Sequence, residues 1–126
     1  MPSKPYDITF EDRAEYLYAC VQADEIDLGI AVEYINEMME HLRQTGATKV
    51  LFVREIEQMM SATQYSIIGS FIFNMLPPQV RIALVDRSPA HGIVVGFINA
   101  RAEEKYRGIR AFESFDAAEA WLLSDG

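Results

Sequence analysis

The chain has 126 residues, 50 % apolar and 24 % charged, with 19 acidic side chains against 11 basic and a net charge of -8. A chain of that length builds one domain with a proper core. Its acidic balance excludes nucleic acid and anionic membrane as main partners, because both need clustered Lys and Arg. Cys20 is the sole cysteine, so an intrachain disulfide is excluded, and the residue reads as a small buried thiol. No secretory apolar segment leads the chain, and no run approaches the roughly 20 apolar residues that span a bilayer. A cytoplasmic protein is therefore expected, a single domain over residues 1–126 with 1–6 as a flexible lead-in.

In chain order, Asp7 to Phe10 and Glu15 to Val21 read as two strands of a hairpin. Tyr16, Tyr18 and Cys20 face one side, and Leu17, Ala19 and Val21 the other. Asp27 then caps a helix to Thr45, whose apolar stripe is Leu28, Ala31, Ile35, Met38, Met39 and Leu42, with Gly46 as its stop. Asp24, Glu25, Asp27, Glu33, Glu37 and Glu40 accumulate here with no Lys or Arg until Arg43. They form a solvated acidic helix face or, alternatively, a docking surface for a basic partner.

Lys49 to Arg54 is a continuous apolar strand of the kind covered on both faces. Ser61 and Gln64 have the spacing of a capping box for a second helix, which Pro77 and Pro78 end after Leu76. Val80 to Val85 is the next strand. Ser88 and Pro89 form a cap and first-position pair for a third helix that runs to about Arg107, with Gly108 ending it. A short strand at Ile109, Ala111 and Phe112 leads to a last, Asp116-capped helix carrying Trp121, the single Trp, which is expected to bury most of its ring. The order β-β-α-β-α-β-α-β-α predicts an α/β fold: a mostly parallel sheet with helices on its faces and an antiparallel edge from the first hairpin.

The second helix is apolar over an unusually wide arc. Ile68, Phe71, Ile72 and Met75 make one face, and Ile67 and Phe73 lie on opposite shoulders of it. A sheet alone cannot cover so much, so the arc calls for a neighbouring helix, a subunit interface, or an apolar ligand cavity. A cavity of that kind would be lined by Ile67, Phe71, Phe73, Met75 and Phe97. In the third helix Gly92 and Gly96 stand one turn apart. Glycines inside a helix cost roughly 1 kcal/mol each relative to Ala, and close approach of another backbone would offset that.

Chemistry is sparse. Ligands of open α/β sheets bind beyond the carboxyl ends of the strands, where Arg87, Ser88 and His91 could take a small polar or anionic ligand at a helix start. Asp86, Ser88 and His91 could also serve acid–base or nucleophilic catalysis, but they match no nucleophile motif. The two histidines are fifty residues apart, so neither a metal site nor a cofactor is expected.

The last lap, RIALVDRSPAHGIVVGFINARAEEKYRGIRAFESFDAAEAWLL, together with the element order resembles the STAS-like family related to bacterial anti-sigma-factor antagonists, in its SpoIIAA-like branch. The resemblance spans about Ile8 to Leu123, and its most specific part is the pattern of Phe112, Ala118, Trp121 and Leu122. These are packing residues and speak to fold before activity. The resemblance implies a non-enzymatic regulatory or protein-binding domain; its partner is expected to be another protein, or a second copy held through the apolar second and third helices as a homodimer. It further implies a phosphorylatable serine at the start of the helix after the third strand. Ser61 holds that place, without the Asp before it and the Gly after it that the family motif carries; the same serine is explained by helix capping alone. A carrier or sensor of a small apolar ligand is the alternative function.

Overall fold

The computed structural model describes residues 5–88, 91–104 and 108–124, with the backbone alone at 91, 97 and 101–104. Its elements follow the order read from the sequence: β1 (Asp7–Asp12), β2 (Leu17–Ala23), α1 (Leu28–Thr45), β3 (Lys49–Ile56), α2 (Ala62–Met75), β4 (Arg81–Asp86), α3 (His91–Glu104), β5 (Ile109–Phe112) and α4 (Phe115–Leu123). The five strands lie in the order β1-β2-β3-β4-β5. β1 pairs antiparallel with β2, and every other pairing is parallel.

Because the strands succeed one another in a single direction, crossovers of one hand put α1, α2 and α3 on the same face. There they cover Leu17, Ala19, Val21, Val50, Phe52, Ile82 and Leu84. Strand alternation turns Leu51, Val53, Ala83 and Val85 to the opposite face, where α4 lays Ala118 and Leu122 on them. Both faces of β3 and β4 are thereby dry, which is why these strands read as unbroken apolar runs. β2 separates as its alternation predicts, with Tyr16, Tyr18 and Cys20 on the α4 side.

Local chemistry sets the helix ends. Asp27 accepts from the Ile30 N–H, and Gly46 closes α1 with φ 73°, a left-handed conformation that suits glycine. At α2 the Ser61–Gln64 capping box forms in both directions. One helix start differs from the sequence reading. α4 is capped by Ser114, whose side chain accepts from the Ala117 N–H, and Asp116 stands inside the first turn. A serine two residues earlier satisfies the orphan N–H group, so Asp116 is left to act on the helix dipole. The Pro89 part of the proposed cap and the end of α3 toward Arg107 lie outside the described residues.

Trp121 is largely but not fully buried, while its neighbour Leu122 is fully buried. The Trp121 ring packs at the rim of the α4 face, between Phe112 (centroids 5.7 Å apart) and the guanidinium of Arg81 (4.2 Å from the ring centroid). Arg81 also donates to the carbonyls of Ser124 and Trp121, completing the C-terminus of α4. At the β5 edge, Asn99 of α3 donates to the Ala111 carbonyl (3.0 Å) and accepts from its N–H (2.8 Å). A side chain thus takes the place of a sixth strand at an edge that would otherwise present unpaired backbone. At the other end of the chain Tyr6 is buried, and its hydroxyl donates to Glu37 (2.7 Å).

Candidate functional site

The carboxyl ends of β3 and β4 carry the polar centre of the molecule. Arg54 and Asp86 each follow an apolar run, and parallel pairing sets them opposite one another. Both point to the face covered by α1–α3, and both are buried. Arg54 Nη1 donates to Asp86 Oδ2 (2.9 Å) and to Ser88 Oγ (3.0 Å), and its Nε donates to the Tyr34 hydroxyl of α1 (3.3 Å). The second oxygen of Asp86 accepts from the Ser88 N–H (2.8 Å). The guanidinium lies over the Tyr65 ring of α2, 5.5 Å from its centroid. One strand residue is thereby tied to α1, α2 and β4.

Burial opposes the charge on Arg54, but Tyr34 and Asp86 beside it outweigh that cost and hold its pKa above the ordinary arginine value. Burial also pushes the Tyr34 hydroxyl up, so it stays protonated. A buried ion pair of this kind gains little over a hydrophobic pair but is expensive to break, because removing one partner strands the other's charge.

Arg54 also borders an internal cavity under α1, α2 and α3, walled mainly by isoleucine, leucine, methionine and aromatic side chains. The residues singled out from the sequence for an apolar site lie elsewhere. Ile67 and Met75 are exposed, Phe71 and Phe73 are half-buried, and none of the four borders the cavity. The Phe97 side chain lies outside the described residues. Phe71 and Phe73 pack against the main core, so the α2 arc is covered within the chain on its Phe73 shoulder and open on its Ile67 shoulder.

The Arg87, Ser88 and His91 group divides. Alternation turns Arg87 to the α4 side, where it lies 3.6 Å from Glu55, while Ser88 is drawn inward to Arg54. The His91 side chain is outside the described residues. Glu55 also accepts from Gln22 (2.9 Å) and from the Cys20 thiol (3.5 Å), making a polar row across three strand ends. Burial first, then Glu55, pushes the Cys20 thiol up to about 11, and Cys20 is partly buried. The bond from Gln22 lowers the pKa of Glu55. The open cleft beside this row, about 700 Å³, is bordered by Asp24, Glu55 and Glu57 against Arg87 alone among charged residues, a poor match to an anion. Among the described residues no three His, Cys, Asp or Glu side chains stand close enough to hold a metal ion, and no helix is long and apolar enough to cross a membrane.

In the sequence Arg54 stands with Glu55 just after the third strand, at the end of the sheet where ligands bind, but it reads there as the polar end of a strand and shows none of its partners. The available signal was a repeated pattern: four apolar residues and then a charge, at Val50–Arg54 and again at Ile82–Asp86, with opposite signs. No family model and no curated protein matches this chain.

Proposed function

We propose that this is a STAS-like domain of the cytoplasm that acts as a non-enzymatic regulatory or protein-binding module and associates with a second copy of itself. The observation that carries the self-association is Ile67, an isoleucine 50 % exposed on the open shoulder of α2. Features of α3 support the same reading. α3 packs beside α2, and Ile93 there is exposed. Gly92, Gly96 and Ala100 form an exposed row at four-residue spacing on α3. Apart from the adjacent residues and the helix's own backbone, no described atom lies within 4 Å of where a side chain on Gly92 or Gly96 would begin. No close neighbour within the described chain therefore offsets the roughly 1 kcal/mol that each helical glycine costs, whereas a second copy seated on this row would. The family resemblance supports a regulatory rather than a chemical role, as does Asp86, both of whose oxygens are engaged by Arg54 and Ser88.

Sedimentation equilibrium over a range of concentrations tests the proposal. The expected mass is twice that of the subunit at micromolar concentration, and Ile67→Glu should give a folded monomer, since an exposed side chain contributes little to the fold. A wild-type protein of single-subunit mass throughout would overturn it.

A further inference from the structure

The cavity under α1, α2 and α3 has a volume of about 40 Å³. One water needs roughly 10–15 Å³ of cavity, so the space exceeds a single water and suits a ligand of only a few non-hydrogen atoms. Its wall includes Ile68 and Ile72 of α2, Val94 and Ile98 of α3, and the flexible side chains of Met38 and Met60. Arg54 enters from β3 with its side chain only 5 % exposed. Its Nη2 has no hydrogen-bond partner among the described residues. A buried donor without an acceptor is rare in native interiors and calls for an explanation.

Charge and hydrogen-bond polarity together select the ligand. Asp86 already balances the charge of Arg54, so a carboxylate or phosphate would leave the interior with a net negative charge. The other polar residues of the wall, among those described, are Tyr34 and Tyr65. Their hydroxyls have each accepted a bond, from Arg54 Nε and from the Met60 N–H, and have a proton to give. The wall is therefore rich in donors and poor in acceptors. Water would leave its own two protons poorly matched there, whereas a carbonyl oxygen only accepts.

We infer that this cavity is a binding site for a small uncharged carbonyl compound, a short-chain ketone or ester, with its apolar body among the isoleucines and its oxygen on Arg54 Nη2. The site is separate from the exposed α2–α3 surface and does not depend on self-association.

Acetone and acetate have nearly the same shape and differ in charge, so they test the inference on the full chain with ¹³C-labelled isoleucine δ-methyls. Acetone should produce shifts at Ile68, Ile72 and Ile98 that saturate below about 100 mM, the range open to so small a ligand. Acetate should bind at least about tenfold more weakly. Arg54→Met combined with Asp86→Asn removes both charges and leaves an acceptor for the Ser88 N–H; acetone affinity should fall about tenfold or more. Val94→Leu should fill the space and abolish the saturable shifts without lowering the melting temperature, and it decides the matter if the double variant does not fold. Shifts that never saturate would mean that the space holds water only. That result, acetate binding as tightly as acetone, or unchanged acetone binding in Val94→Leu, would overturn the inference.

Discussion

On the broad face of the sheet three helices cover the core, and the charged pair Arg54–Asp86 stands inside that cover. On the opposite face a nine-residue helix covers Leu51, Val53, Ala83 and Val85, and the described charged contacts of that helix stand at its rim. There Glu119 accepts from the Tyr16 hydroxyl (2.5 Å), Arg13 lies 4.3 Å from the Tyr18 ring centroid, and Arg81 holds the end of α4. The difference is one of dielectric. Rim charges keep part of their hydration and can be lost singly at modest cost. A charge in the middle of a three-helix cover cannot be rehydrated when its partner goes, so the broad face depends on a matched pair.

The largest effect should follow from unmatching that pair. Arg54→Met alone leaves Asp86 buried and unpaired and should cost about 3–5 kcal/mol, enough to unfold a domain holding only about 5–15 kcal/mol. Adding Asp86→Asn should recover most of the loss, because no buried charge then remains. Urea denaturation of the two variants measures this. A double variant no more stable than the single one would show that the broad face depends on hydrogen-bond geometry and not on charge.

On the narrow face, packing at the centre should outweigh the rim. Leu122 is fully buried, so Leu122→Ala should cost about 2–5 kcal/mol. Trp121 is largely but not fully buried, and Trp121→Ala should cost less than the roughly 3–5 kcal/mol typical of a core Trp. If the order of the two melting temperatures is reversed, the cation–π and aromatic rim is what holds α4.

The smallest effects belong to the helix starts, where both faces use a serine cap. Ser61→Ala and Ser114→Ala should each cost roughly 0.5–2 kcal/mol, and Ser61→Asp should be nearly neutral because Asp caps as well as Ser. Ser61 is exposed at the start of α2, so a phosphate would be tolerated by the helix dipole. Stability therefore does not separate a cap from a switch. The expected result is that Ser61→Asp leaves self-association unchanged; a dimer lost in that variant, read by sedimentation, would make Ser61 a regulated position and set the two caps apart.

Much of this architecture is written locally and was legible in the residues. Asp27, Gly46 and the Ser61–Gln64 box mark helix ends because each satisfies backbone groups three or four residues away. The alternation of Leu17, Ala19 and Val21 against Tyr16, Tyr18 and Cys20 fixes two faces because strand side chains repeat every second residue. What lies beyond a few residues' reach was decided in three dimensions. Arg54 meets Asp86 across 32 residues through strand register, and Tyr34 reaches the same guanidinium from a helix 20 residues earlier. The repeated apolar run before each charge hints at the first pair, but nothing near Tyr34 in the sequence points to Arg54. The same holds for α2, whose apolar arc showed that more than a sheet must cover it. The placement of α1 and α3 then decided that Phe73 would pack inward and Ile67 face out. Burial is a property of the assembled layers, and a sequence states only which side chains would benefit from it.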